Sequence, residues 1–395
     1  MPDARVLISA NYLSDLSLIN SILFILILIT CFCCLLILYS VFSMTKKSIL
    51  PAQGKVNTPP VSILKPLQGI SPELKGNLAT FCNLDYPEYE LIFCVEKKED
   101  PALQVVKELQ TECPQAKIKI ATEDSHPGYN PKVRNLIRGM NKASYDLILI
   151  SDADVRVEKN YLRDLTTLIE DLKVGIVTNL IRGKGNSSLG SILENLNLNF
   201  FVLGGTCFLY HFFDYTCITG KSILFRKAEI EKMGGFPSIK NFLAEDQILQ
   251  KKFERFGKKV ILSPCLITSN TSQRTLVRFF KRNVRWSQMR VQLGGIGYLS
   301  ELMVNPVLFA TLLCFISLFS AFSLKVLVAI SIFKIIVEST QGKLIQTQAG
   351  FFSYLLVPLK DLLIGIIWFS PFFKTSVEWR GSKFKLRRYT ELEPL

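Results

Sequence analysis

From Leu16 to Thr45 the chain runs for 30 residues without a charged side chain, where a helix needs about 20 apolar residues to cross a bilayer core. Such a segment has no place on a water-soluble surface, so the first element must be a transmembrane helix. It is too long for a signal-peptide core and no small-residue cleavage site follows, so residues 1–47 read as an uncleaved signal anchor. Lys46, Lys47 and Lys55 follow the run, whereas Asp3, Arg5 and Asp15 precede it. The bias of lysine and arginine toward the cytosolic side therefore puts the next domain in the cytosol.

Composition supports a membrane protein with a folded domain. Of 395 residues, 49% are hydrophobic and 20% charged, while 47 Lys and Arg against 33 Asp and Glu leave a net charge of +14. With a mean hydropathy of +0.28, disorder is excluded. The basic residues lie near apolar runs, which suits a cytosol-facing membrane surface and not a nucleic-acid partner. Ten cysteines without a CxxC pair give neither a zinc knuckle nor a disulfide framework. With His126 and His211 as the two histidines, a His-rich metal site or a Ser-His triad is discounted.

Residues 48–60, with Pro51, Pro59 and Pro60, read as a linker. Strand and helix patterns then alternate. Strands are expected over 61–67, 90–95, 117–121, 146–150 and 174–178, with helices near 71–82, 101–112, 131–143 and 160–171. This alternation predicts an α/β domain with a mostly parallel sheet covered by helices, spanning 60–265. There is neither a GxGxxG after a strand nor a P-loop, so dinucleotide and P-loop chemistry recede.

Beyond residue 265 the character changes. Six basic residues and no acid lie between Asn270 and Arg290, and Arg274, Arg278, Arg282 and Arg285 recur at helical spacing. Residues 266–300 therefore read as an interfacial basic and aromatic segment, or equally as a solvated basic face. The stretch 301–373 reads as a membrane region: 302–324 is expected as a second span and 351–373 as a return, with Val326–Val337 not crossing. Lys360-Asp361 in its middle is either an intramembrane pair or the mark of an interfacial segment. The tail 374–395, with six basic residues and one acid from Lys374 to Arg388, is expected on the cytosolic side.

Three groups of residues could carry chemistry. Leu147–Ile150 is a buried-type strand that ends in Asp152-Ala153-Asp154, and open α/β sheets place ligands at the carboxyl ends of their strands. Two carboxylates there could converge on a divalent cation, Mg²⁺ or Mn²⁺, or stand as solvated acids in a turn. Asp246, in Ala244-Glu245-Asp246, either caps a helix or acts as a general base. Asp100, before Pro101, caps a helix or reads a nucleoside. Arg282 and Arg285 in Arg282-Asn283-Val284-Arg285-Trp286 place two guanidiniums on one helical face, matched to diphosphate or to lipid phosphate.

The order of these motifs resembles the ceramide glucosyltransferases, members of glycosyltransferase family 21 and similar to family-2 enzymes. The resemblance runs from Pro60 to about Arg388. It includes Leu84-Asp85-Tyr86-Pro87, Asn130-Pro131-Lys132, Cys217-Ile218-Thr219-Gly220 and Glu378-Trp379-Arg380-Gly381. It implies a GT-A nucleotide-sugar-binding fold with amino- and carboxyl-terminal transmembrane helices. In it Asp100 would lie near the uridine and Asp152 and Asp154 at ribose and metal. Lys132, Arg282, Arg285 and Trp286 would bind the nucleotide sugar, and Asp246 would be the catalytic base. The implied reaction is inverting transfer of one sugar, glucose first, from a UDP-sugar to a membrane lipid hydroxyl. Animal ceramide enzymes lack the carboxylate present here as Asp154 and carry a His-Pro absent from residues 199–215. A hopanoid acceptor therefore stands beside ceramide. A processive polysaccharide synthase would need more helices than this chain offers. A non-catalytic membrane module would not need Asp154, Asp246 and both arginines.

Overall fold

The computed structural model describes residues 4–47, 57–122, 127–185, 188–271, 274–379 and 382–395, with side chains from residue 17 onward. His126, Arg380, Gly381 and most of the expected linker lie outside the described residues.

The expected alternation folds into one sheet of eight strands: β1 (Val61–Pro66), β2 (Tyr89–Cys94), β3 (Lys117–Ala121), β4 (Leu147–Ile150), β5 (Val155–Arg156), β6 (Val174–Lys184), β7 (Ile223–Arg226) and β8 (Lys259–Asn270). The order is β3-β2-β1-β4-β7-β6-β8-β5. Pairing is parallel from β3 to β4 and between β6 and β8, while β7 and β5 run against their neighbours. The strand sequences explain the burial. In β4 Leu147 and Leu149 join one apolar cluster while Ile148 and Ile150 join another, as alternation across a sheet covered on both faces requires.

This topology makes the site. The in-register pairing of β1 with β2 and β4 brings the carboxyl ends of three parallel strands to one edge. Because β7 is antiparallel to β4, with Ile150 opposite Ile223, its entry loop Cys217–Ser222 returns to that same edge.

Among the described residues the amino-terminal helix and the expected return Phe351–Phe373 are long and apolar enough to cross a membrane, while the stretch 302–324 departs from the expected span. The amino-terminal helix extends over Ala4–Lys46. Apart from Ser40, its buried residues Leu23, Ile27, Thr30, Cys34, Ile37, Val41 and Met44 repeat at alternating steps of four and three, a packing seam. Val41 and Met44 belong to one buried apolar cluster with Leu180 of β6, Leu262 of β8, Leu203, Cys207 and Ile345, so the end of the anchor shares its packing with the sheet. The stretch 302–324 is divided: Pro306–Ile316 is a short helix, the chain turns through Leu318 and Phe319 at positive φ, and Ala321–Leu344 begins a new helix. At 1.5 Å per residue the first rises roughly 17 Å, half a bilayer core, and the second roughly 36 Å. Val326–Val337 lies inside the second, which with Lys325, Lys334, Glu338 and Lys343 is not among the helices apolar enough to cross, as expected. A further apolar helix that sequence reading missed covers Leu189–Phe213, continuous through a π-turn at Leu198–Leu203.

Lys360-Asp361 is a pair buried within the protein. Lys360 bonds Glu338 at 2.6 Å and Asp361 at 2.8 Å, and Lys334 reaches Glu338 at 3.0 Å and Asp361 at 3.5 Å. Two cations and two anions close the charge. Removing one member of such a buried set strands its partner at a cost of about 3–5 kcal/mol, so the cluster fixes how the helix Ala321–Leu344 registers with Val357–Trp368.

The basic tail is folded. β9 (Ser376–Trp379), β10 (Ser382–Leu386) and β11 (Leu392–Pro394) form an antiparallel sheet, and Leu243 is buried among Val377, Phe384, Leu386 and Leu392.

Candidate functional site

Asp152 and Asp154 follow β4 at the carboxyl edge, and a lysine meets each of them. Lys132 Nζ lies 2.8 Å from Asp152 Oδ1 and 2.9 Å from Glu245 Oε1. Lys221 Nζ bonds Asp154 Oδ1 and Oδ2 at 2.5 and 2.6 Å and lies 3.9 Å from Asp152 Oδ2. Ser269 of β8 donates to Asp154 Oδ2 at 3.2 Å. Burial alone would raise the pKa of Asp154, but the Lys221 ammonium and the more distant Arg282 charge outweigh it and hold the carboxyl below its usual range. Burial also works against the charge of Lys132, yet the carboxylates of Asp152, Glu245 and Asp246 push its pKa above the ordinary lysine value.

Local sequence explains why Lys132 arrives there. Asn130 caps the helix Pro131–Lys142, its side-chain oxygen accepting from the Lys132 and Val133 amides, with Pro131 at the first helical position. The Asn130 amide donates to Phe242 O at 2.7 Å and Glu245 Oε2 at 3.2 Å. One asparagine therefore joins the Lys132 helix to the Glu245-Asp246 turn.

Asp246 sits in the first turn of the helix Glu245–Arg255. Burial, and then the neighbouring Glu245 charge, push its carboxyl up to about 7. Gly220, at φ +67, faces it: a Cβ there would stand 2.8 Å from Asp246 Oδ2 and 3.2 Å from Lys132 Nζ. Both the positive φ and the lack of room demand glycine. Gln247 donates to Ile218 O, which ties this helix to the β7 entry loop.

Arg282 lies on the helix Leu276–Gly294. It bonds Glu194 at 2.7 Å and stacks 4.1 Å from the centre of the Trp286 ring, while Trp286 packs against the core. Arg285, on the same helix, is half-buried. Asp100 is used locally: its carboxylate accepts from Gly69 N at 2.9 Å and from Ala102 N at 2.9 Å, tying the loop after β1 to the start of the next helix. The structure thus brings Lys132, Asp152, Asp154 and Asp246 together and places Arg282 within electrostatic reach. Asp100 stands at the same sheet edge after β2 as a loop tie.

Four residues escaped the sequence reading. Lys221 directly follows the Thr219-Gly220 motif, and Glu245 adjoins Asp246, so adjacency was their signal. Glu194 had none. Lys65, fully buried in β1, donates to Ser151 Oγ at 3.1 Å and Asp152 O at 2.8 Å. Burial drives its pKa down to about 7 against the pull of the two aspartates.

Among the described residues no three His, Cys, Asp or Glu side chains group as a metal site. Asp152 and Asp154 are two hard oxygen donors on one edge. Such a pair fits a Mg²⁺ or Mn²⁺ that keeps waters and takes its other ligands from a diphosphate.

The carboxyl-terminal sheet clamps the turn before Asp246. Leu243 N donates to Thr390 O at 3.0 Å, Ala244 N to Thr390 Oγ1 at 3.1 Å, and Leu392 N to Asn241 O at 2.8 Å. Thr390→Val removes one of these acceptors from a buried amide, a loss of about 1–3 kcal/mol. If this site is catalytic, turnover is expected to fall roughly threefold to tenfold with substrate KM nearly constant, as steady-state kinetics beside a melting curve would show. A lower melting temperature with unchanged turnover would make the clamp purely structural.

Three comparisons bear on this geometry. The model of glycosyl transferase family 21 matches residues 23–392. Ceramide glucosyltransferase 3 of Caenorhabditis elegans is 28% identical over 349 residues, 83% of this chain and 73% of the relative. A ceramide glucosyltransferase of Komagataella phaffii is 30% identical over 244 residues, 54% of this chain and 47% of the relative. Among solved structures, a mannosyltransferase of Pyrobaculum calidifontis in complex with GDP-Man and Mn²⁺ superposes with a TM-score of 0.51 at 14% identity, covering 89% of this chain and 98% of that one. This likeness shows the fold, which is the GT-A fold expected from the sequence.

Proposed function

As the chain belongs to glycosyl transferase family 21, we propose that it transfers one glucose from UDP-glucose to the hydroxyl of ceramide, with inversion, at the cytosolic face of a membrane. One observation carries the mechanism: Asp246, with its carboxyl raised to about 7, stands beside the edge that bears Asp152 and Asp154. A base with that affinity is half ionised near neutral pH and accepts a proton readily. Asp246 takes the proton of the acceptor hydroxyl as its oxygen attacks the anomeric carbon from the side opposite UDP. The bond from that carbon to the diphosphate oxygen breaks, and the electron pair leaves with UDP.

Negative charge then grows on the diphosphate. Arg282 and Arg285 would stabilise it, Arg282 held in place by Glu194 and Trp286. A divalent cation held by Asp152 and Asp154 would supply further charge neutralisation. Lys132 keeps Asp152 and Glu245 compensated, so that Asp246 is left as the carboxylate with high proton affinity. Asp100 would order the loop beside the uridine. The named relatives favour ceramide and glucose. The anchor, whose end shares an apolar cluster with the sheet, together with the apolar helices, favours an acceptor that keeps its chains in the membrane. Leaving them there avoids losing about 0.8 kcal/mol per methylene on extraction.

Purified protein in detergent, given UDP-glucose and ceramide, is expected to yield a β-linked glucosylceramide by mass spectrometry and NMR. Elongation of a soluble glycan, or polymer from UDP-sugar alone, would overturn the lipid reading. Glycosylation of a hopanoid alone would leave the mechanism and overturn the acceptor.

A further inference from the structure

β1 and β4 pair in parallel from Val61 opposite Leu147 to Leu64 opposite Ile150, and Ser151 N, bonded to Leu64 O at 3.0 Å, makes the last rung of that ladder. Rungs fall on alternate residues, so the next donor on β1 would be residue 66, a proline without an N–H. The chain that carries Asp152 and Asp154 therefore leaves the sheet with three backbone carbonyls to be met by other means. Asp152 O accepts from Lys65 Nζ at 2.8 Å, Ala153 O from Asn77 Nδ2 at 3.3 Å, and Asp154 O from Asn270 N at 2.9 Å. Of these three donors Lys65 alone is charged, and charge-assisted hydrogen bonds are the stronger kind. Its Nζ also donates to Ser151 Oγ at 3.1 Å and lies 3.7 Å from the centre of the Phe81 ring. These partners are neutral, and the lysine is fully buried. A methionine would fill the same space without the desolvation of an ammonium. The bonds to the turn are what a lysine adds.

We propose that Lys65 is a positioning residue of the transfer reaction: it replaces the rung that Pro66 cannot give and fixes the Asp152-Ala153-Asp154 turn with both carboxylates toward the donor diphosphate. The inference rests on the transferase reading above. Lys132 and Lys221 bond the carboxylates themselves and so compensate their charge, whereas Lys65 bonds the backbone that carries them. Without Lys65, Asp152 O keeps one longer bond, from Val155 N at 3.4 Å. A peptide held that loosely can rotate, and its rotation moves both carboxylates at once.

Two measurements on the full chain in detergent test this. Hydrogen exchange without substrate reads the turn itself: Lys65→Met is expected to speed exchange over residues 153–156 about tenfold or more, with 61–64 and 147–150 unchanged. Steady-state kinetics reads the consequence: kcat should fall about 10²-fold, the effect of a displacement on the order of 1 Å, with acceptor KM within about twofold of wild type. Ser151→Ala keeps the ammonium and removes one of its acceptors, so a fall in kcat of about threefold to tenfold is expected, and the double variant should be no slower than Lys65→Met alone. Faster exchange spread over the whole sheet, or a lower melting temperature with wild-type kcat, would make Lys65 purely structural and overturn the proposal. So would losses that simply multiply in the double variant. Should Lys65→Met fail to fold, wild-type exchange and kcat in Ser151→Ala would overturn it alone. A wild-type protein that transfers no glucose would overturn the transferase reading, while exchange confined to the turn would still uphold Lys65 as its holder.

Discussion

Replacing Asp246 by Asn is expected to lower kcat by about 10²- to 10⁴-fold while the Kd for UDP-glucose changes little, because a general base acts on the chemical step. The substitution is nearly isosteric. Asp246 Oδ1 accepts from Gln247 N at 2.8 Å, and an amide oxygen can do the same. Lys132 keeps its partners Asp152 and Glu245, so no charge is stranded. The pKa of about 7 adds two signatures. Asp246 is protonated and inactive on the acid side, so the wild-type rate should rise with pH and level off above 7, standing about tenfold below its plateau one unit under the pKa. Stability runs the other way. The native state holds a proton that the unfolded state releases near pH 4, so stability should fall as pH rises from about 4 to about 7 and then flatten. Asp246→Asn should abolish that fall and melt higher than wild type at pH 8. An inactive variant that melts lower at every pH would make Asp246 structural. Wild-type turnover would remove it from the mechanism.

How far the sequence could be read follows from the physics of each element. The strands β1 to β4 and the helices between them were legible because buried parallel strands are short continuous apolar runs bounded by turn residues. The Asp-x-Asp turn could be placed because β4 ends at Ile150, and Asp246 because motif order located it. The partners of these carboxylates were not legible. Lys221 meets Asp154 only because β7 runs antiparallel, and nothing local in Ile223–Arg226 announces its direction. Glu194 meets Arg282 across 88 positions of chain, through a helix whose apolar run had no pattern distinct from a core helix. In the membrane region hydropathy locates apolar length and not breaks. Leu318 and Phe319 are as apolar as their neighbours, yet the chain turns there. The seam from Leu23 to Met44 is hidden for the same reason, since Ile22, Phe24, Ile25 and Leu28, exposed on the opposite face, are equally apolar. In the tail, lysines and arginines mask the fold: the apolar residues that close its small sheet, Val377, Phe384, Leu386 and Leu392, are few and scattered among the charges.

Asp154→Asn is expected to lower turnover by about 10²- to 10³-fold, the usual effect of removing one group that organises charge around a leaving diphosphate. It should also abolish stimulation by Mg²⁺ or Mn²⁺. Both carboxylate oxygens of Asp154 are bonded by Lys221, at 2.5 and 2.6 Å, and Asp152 is bonded by Lys132 at 2.8 Å. An ammonium and a divalent cation seek the same oxygens, so the lysines compete with the metal for this edge. Lys221→Gln should therefore tighten Mn²⁺ binding, followed by electron paramagnetic resonance without turnover, whereas Asp154→Asn should weaken it. In Asp154→Asn the Lys221 ammonium keeps Asp152 at 3.9 Å as a counterion, and the fold should survive. The contrast between the two variants separates a metal site from a lysine-neutralised one. If exhaustive chelation leaves full activity, and Lys221→Gln then loses as much turnover as Asp154→Asn, the ammonium and the arginines carry the diphosphate charge without a metal.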